Sequence, residues 1–267
     1  MRSVRQKPPL GSQINWAHPL TRGLVGCWLL NERGRGRFID SVNGIPSYTS
    51  WITSYVPKII PTPEGETLQN STEREDSKLD IKTKPIYCPV REISVFSRVL
   101  VTASPHGGNN PIAGKGLSGS ADKQWRLSTN TLDGAGYQAQ LNIGGTVRTL
   151  NVSRTPGIGV HTFGFTFDGT NFKMYFDGVL FGSTSAYTGE IGYATDHDIY
   201  VGGDGTYACI FPTISFYIYN RAISIEDAKE LHKSPYAMFE RRPVWMDYVS
   251  AATGNRRRRQ LIAGVYR

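Results

Sequence analysis

The stretch HTFGFTFDGTNFKMYFDGVLFG, residues 161–182, constrains the fold more than any other part of the chain. Side chains of an extended strand alternate between faces, so Phe163, Phe165 and Phe167 share one side. After the Asp168-Gly169 pair, Phe172, Met174 and Phe176 do the same. A second pair, Asp177-Gly178, follows nine residues after the first and turns the chain again. The result is a β-meander, whose aromatic side must be covered by a second layer.

The neighbouring segments supply further strands. EISVFSRVLVTA (92–103) places Ile93, Val95, Val99 and Val101 on one face, with Ser97 interrupting them. GLVGCWLL (23–30) is an apolar strand bounded by Gly, and QWRLSTN, YQAQLNI, TVRTLNV, VLFG, DIYVGG and IFPTISFYIY are further short strands spaced by Asp-Gly, Gly-Gly and Thr-Gly turn signals. Such spacing argues an all-β sandwich or jelly roll. In 267 residues, 39% hydrophobic content with 29 Gly and 15 Pro provides both a core and many turns. Residues 31–90 are the least patterned and are expected to be loops with two or three short strands. The Gly-rich ASPHGGNNPIAGKGLSGS lacks the order and following helix of a phosphate loop and reads as a connection between strands. One helix is expected in RAISIEDAKELHKSP: Ser224 caps it, Glu226 and Asp227 occupy its first turn, Pro235 stops it, and Ile225, Ala228 and Leu231 dock it on the sandwich.

The net charge of +8 is unevenly placed. Residues 1–7 and 240–267 hold ten basic and two acidic side chains, while 8–239 hold twenty of each, so a neutral body carries basic ends. Neither the N-terminus nor any other stretch has the apolar length of a signal peptide or a membrane span, so a soluble product made in a reducing cytoplasm is expected. Cys27, Cys88 and Cys209 are odd in number and without metal-like spacing, which suggests buried thiols.

Several linked motifs resemble a known family. HTFGFTFDGTNFKMYFDGVLFG, then DIYVGG, then ISFYIYNRAISIEDAKELHKSP are similar to the C-terminal half of a laminin-G-like, concanavalin A-like jelly roll, and GLVGCWLLNERGRGRFIDSVNG is similar to the family's opening. The resemblance spans about residues 23–235. It implies an all-β sandwich of two antiparallel sheets with one short C-terminal helix, an extended N-terminal arm over 1–22 and a C-terminal arm over 236–267. The flanks INWAHPLTRGLVGCW and LHKSPYAMFERRPVW are similar to those of such domains in proteins encoded by tailed bacteriophages, although Ser234-Pro235-Tyr236-Ala237-Met238-Phe239 replaces the usual segment after the helix. This implies a component of the virion.

Candidate chemistry is sparse. Glycanases of this fold carry a strand with acidic residues at E-x-D-x-x-E spacing. No such triplet occurs, and Glu73-Arg74-Glu75-Asp76 has the wrong spacing. His18, His106, His161, His197 and His232 are scattered, with no nucleophile motif beside them. A non-enzymatic role is expected. Asp196, Asp198 and Asp204 offer oxygen atoms of the kind calcium takes at the rim of some laminin-G-like domains, yet turn formation explains them without an ion. Trp51 and Trp125 lie among polar neighbours, where they either stack on sugar rings or pack between the sheets.

In the tail, Trp245 and Tyr248 mix apolar surface with the run Arg256, Arg257, Arg258 and Arg259, which suits docking on an acidic protein surface. Nucleic acid is the poorer partner, because the electroneutral body offers nothing to continue the run. The expected role is a head-decoration or tail-associated structural protein of a phage particle, held by its arms to capsid or tail proteins and present as a homo-oligomer such as a trimer. The alternative is a lectin-like module for host surface glycans.

Overall fold

The computed structural model describes residues 5–32, 36–50, 58–69, 78–102, 109–116, 124–130, 136–153, 156–184, 187–192, 197–203, 209 and 211–240. Among them are the strands β1 (Leu24–Trp28), β2 (Arg37–Ile39), β3 (Pro46–Ser50), β4 (Lys58–Thr62), β5 (Gly65–Gln69), β6 (Lys78–Ile81), β7 (Ile93–Val101), β8 (Asn109–Lys115), β9 (Trp125–Asn130), β10 (Gly136–Ile143), β11 (Thr146–Val152), β12 (Gly159–Phe167), β13 (Phe172–Phe176), β14 (Val179–Thr184), β15 (Ile199–Val201) and β16 (Thr213–Tyr219), and the helix α1 (Ile225–Lys233). One sheet runs β14-β13-β12-β7-β16-β5-β4, with β1 also paired to β16, and the other runs β11-β10-β9-β8-β15-β6-β3-β2. All their pairings are antiparallel.

The meander is built as the alternation requires. Phe163 stands opposite Phe176, Phe165 opposite Met174 and Phe167 opposite Phe172, and all six are buried. The two Asp-Gly pairs make different turns. Asp168 accepts from the amides of Thr170 and Asn171 at 3.0 and 2.7 Å, organising a four-residue connection. Asp177 (φ 50°) and Gly178 (φ 74°) are both left-handed, which a two-residue hairpin of type I′ needs.

Between the sheets, aromatic rings from opposite layers meet. Trp125 of β9 stacks on Phe216 of β16 and tilts against Phe165 of β12, both at 6.2 Å between centroids. Tyr137 of β10 packs on Phe163 and Phe176 at 4.3 and 5.1 Å. Trp28 fills the remaining space against Phe216 and Tyr87, its indole N–H donating to Ser47 at 3.0 Å. Cys27, Cys88 and Cys209 are buried thiols.

The outer face of the first sheet is buried as well. Phe96, Tyr175, Tyr217 and Tyr219 point away from the inter-sheet core and are covered by Ala228 and Leu231 of α1, by Ile14 and Leu20, and by Tyr236, Met238 and Phe239. The helix begins as expected, with the Ser224 hydroxyl accepting from the Asp227 amide at 3.0 Å while the Asp227 carboxylate accepts from the Ser224 amide.

Three expectations change. Residues 31–90 hold five strands, β2–β6, which are three to five residues long, mostly polar and interrupted by Pro46 and Pro61, so they show little period. The Gly-rich connection contains β8, an interior strand of the second sheet. Pro111 is tolerated there because the ladder shifts between Pro111 and Ala113, and Gly114 because the Tyr200 ring occupies the space of a side chain. Finally, residues within both expected arms lie on the body: Ile14 bridges Phe239, the Asn15 amide donates to the Met238 carbonyl at 2.8 Å, and the Glu240 amide donates to the Gln13 carbonyl at 2.8 Å. Their apolar side chains find burial on the first sheet's outer face, so over 13–22 and 236–240 the chain ends belong to the packed body.

Candidate functional site

Where the chain ends cross the first sheet, ionised groups are buried together. The Arg98 guanidinium, 1% exposed, is held by both oxygens of Glu64, which is 3% exposed. It also donates to the Thr162 hydroxyl at 2.7 Å and to the His232 carbonyl at the end of α1 at 3.2 Å. Tyr236 donates to Glu64 at 2.9 Å. One arginine therefore ties β7, β12, the β4–β5 turn, the helix end and the segment after it.

Beside this knot, His161 Nδ1 lies 2.8 Å from Asp177 and its Nε2 lies 2.8 Å from the Gly157 carbonyl. Both ring nitrogens face acceptors, so the imidazolium is favoured and its pKa is raised, chiefly by the Asp177 hydrogen bond. Burial pushes the Asp177 carboxyl up, but the bonds from His161 and the Thr162 amide outweigh it and hold it below the usual range. His232, 3.4 Å from Asp177, is pushed down by burial. With neither nitrogen of His161 available to take a proton, the pair is suited to holding the β13–β14 turn, not to general-base work.

The second sheet's outer face differs in kind. Leu127, Ala139, Ala113, Val201 and Leu79 face the core, so the residues alternating with them face outward. The pairing registers place Thr149, Gln140, Arg126, Gly114, Tyr200, Asp80, Tyr48 and Arg37 in one row, a residue from each of eight strands. Tyr48 is 50% exposed at one end, and Arg126 is buried toward the other. Next to the row, the buried Gln124 amide and Ser128 hydroxyl find no hydrogen-bond partner among the described residues. Among the described strand residues of this face, Asp80 is the one carboxylate, and Lys78 lies 3.3 Å from it. Two facing carboxylates, the minimum for glycoside cleavage, are not provided by these strands.

The sequence candidates fare unequally. Trp125, a candidate for stacking on sugar, is fully buried between Phe165 and Phe216, so no ring face is open to a ligand; its polar neighbours are Gln124, just before the strand, and Arg126, which points to the sheet's other face. Trp51, Trp245, Tyr248 and Arg256, Arg257, Arg258 and Arg259 lie outside the described residues. Of the possible calcium ligands, Asp196 and Asp204 also lie outside them. Asp198 is bonded to the Lys82 ammonium at 2.5 Å and to the Thr83 amide at 3.1 Å, a setting that competes with a cation. Among the described residues no group of three or more His, Cys, Asp or Glu is arranged for a metal.

No family model matches the sequence, and no curated protein matches it. Solved structures do match the fold. The binding domain of Paraclostridial Mosquitocidal Protein 1 superposes with a TM-score of 0.62 at 14% identity, over 80% of this chain and 53% of that one. The fold is a jelly-roll sandwich of two antiparallel sheets. The botulinum neurotoxin serotype D/C binding domain gives a TM-score of 0.58 at 12% identity, over 79% of this chain and 52% of that one. Trypanosoma rangeli sialidase in complex with sialic acid gives 0.57 at 15% identity, over 81% of this chain but 33% of that one. This chain thus spans about half the length of the toxin binding domains and a third of the sialidase. At these identities the likeness concerns the sandwich alone.

Proposed function

We propose that this chain is a non-enzymatic structural component of a tailed phage particle, a head-decoration or tail-associated protein assembled in the host cytoplasm. Its jelly-roll body is attached through its basic terminal segments to capsid or tail proteins, and it acts as a homo-oligomer, with a trimer the expected state. The observation that carries this reading is the pairing of Gln13–Asn15 with Met238–Glu240, which brings both chain ends to one place on the body. The residues beyond them, 1–7 and 241–267, carry the surplus positive charge. Two weak basic anchors side by side, repeated over a symmetric particle, hold through multivalency. The motif flanks similar to those of phage-encoded domains support the same reading. Deleting residues 241–267 is expected to leave a folded domain that no longer enters the particle; unimpaired incorporation overturns the attachment role.

A second reading, compatible with the first, is glycan recognition on the polar face. It is favoured by the unmet hydrogen-bonding groups of Gln124 and Ser128 at β9 and by exposed Tyr48, four strands away on the same sheet. The fold shared with toxin binding domains and with a sialidase solved in complex with sialic acid is in keeping with it. Trp51, which follows β3 in sequence, remains a stacking candidate. A glycan array on the intact chain tests it: a bound sugar whose signal falls on Tyr48→Ala supports this face, and silence on every sugar with and without calcium removes the reading.

A further inference from the structure

A cleft of about 750 Å³ opens beside the paired segments Gln13–Asn15 and Met238–Glu240, a size that holds a small molecule. Among the described residues that line it, Glu32, Asp40 and Glu240 are acidic and none is basic. Its rim is apolar and uncovered: Leu10 is 52% exposed and Trp16 59%. The negative charge of its wall has neutral company. Asp40 is fully buried and accepts from the amides of Cys27 and Val42 at 2.8 and 2.9 Å, from Asn43 Nδ2 at 2.7 Å and from the Tyr87 hydroxyl at 2.8 Å, none of them charged. One oxygen of Glu32 accepts from the Ile39 amide at 2.8 Å, while the other, Oε2, is buried with no hydrogen-bond partner among the described residues, and so is the Ser12 hydroxyl. Lys7 feels the charge of Glu32, but its ammonium is committed to the Glu66 carbonyl at 2.6 Å, and burial lowers its pKa to about 7. The Cys27 thiol behind the wall registers the field: burial first, then the charges of Asp40 and Glu32, push it up.

Carboxylates taken out of water without a cation act on an incoming charge through a low dielectric, and a cation that reaches them offsets the cost of their burial. The wall also selects the kind of cation. Calcium collects about six to eight oxygen ligands, and both Asp40 oxygens already serve donors. An organic ammonium asks for less: a negative field for its head, an aromatic face beside it and apolar surface for its stem. We propose that the cleft is a binding site for an ammonium group on an apolar stem, its charge held in the field of Glu32 and Asp40 while Trp16 and Leu10 cover the stem. The inference is independent of whether the chain joins a particle and of glycan recognition on the second sheet.

Titration calorimetry of the full-length protein with hexylammonium chloride tests it. Saturable binding with a dissociation constant below about 1 mM is expected. Hexan-1-ol, which has the stem without the charge, is expected to bind about tenfold or more weakly. Glu32→Gln, which keeps an acceptor for the Ile39 amide, and Trp16→Ala, at an exposed site, are each expected to weaken the amine about fivefold or more while melting at the parental temperature. No saturation by about 10 mM, equal binding of the alcohol, or an affinity untouched by both substitutions overturns the proposal. A parallel titration with Nα-acetyl-lysine amide identifies the source of the ammonium: tighter binding than hexylammonium assigns a lysine side chain of another protein, and weaker binding assigns a free amine.

Discussion

Arg98 and Glu64 form an ion pair that solvent barely reaches, at 1% and 3% exposure, and every nitrogen of the guanidinium has a partner. Removing the cation strands a carboxylate, so Arg98→Met is expected to cost about 3–5 kcal/mol in urea unfolding. Adding Glu64→Gln to it removes the stranded charge and is expected to recover part of that loss. A loss under ~1 kcal/mol for the single variant shows that water reaches the site.

The His161–Asp177 pair makes stability depend on pH in a defined direction. The raised pKa of His161 means its contribution is complete below the ordinary value of 6.5 and is lost as pH climbs through the raised one. The lowered pKa of Asp177 means its contribution is complete above 3.8 and is lost as pH falls through the lowered one. His161→Gln is therefore expected to lose most, about 1–2 kcal/mol, between about pH 4 and 6 and to approach the parent protein once pH has climbed past the raised His161 value. His232, lowered by burial, opposes this trend, since its protonation below 6.5 works against the fold. Thermal melts across pH check the difference curve, and a gap that widens toward alkaline pH rejects the pairing.

Gly178 is confined twice. Its φ of 74° disfavours any other residue, and a Cβ there would approach Lys229 Cα to 2.7 Å. Gly178→Ala is expected to cost about 2–4 kcal/mol, with loosened α1 amides in hydrogen exchange. Asp177→Asn is milder at the backbone, since Asn also adopts positive φ, and isolates the loss of the His161 charge pair.

Trp125→Ala opens a void between the sheets and is expected to lower stability by about 3–5 kcal/mol. Were Trp125 a stacking platform, the variant would instead fold with parental stability and lose sugar binding alone. Differential scanning calorimetry and the glycan array together separate the two.

What the sequence reveals of the fold depends on where each signal lies. The Phe163 to Phe176 meander and the Ser224-capped helix are written in local periodicity and local capping, and both appear as read. Trp125 was harder, because Gln124 and Arg126 look like solvent-facing neighbours, although they alternate with core residues Trp125 and Leu127. β8 was read as part of a loop because its Pro and Gly have reasons that lie elsewhere in the chain: a shifted ladder with β9 and the ring of Tyr200. The polar row from Thr149 to Arg37 is not visible in sequence at all, since it depends on the register of seven strand pairings between distant segments. The burial of Ile14, Leu20 and Met238 likewise depends on aromatic residues of the sheet they cover.

The short ladder between Gln13–Asn15 and Met238–Glu240 also governs how the molecule carries load. A pull applied through both terminal segments meets these few bonds first and peels them one at a time, while the sandwich behind them bears no tension until they part. Tension on the two ends would then be met by a yielding seam instead of by the hydrophobic interior, much as a stitched hem spares the cloth.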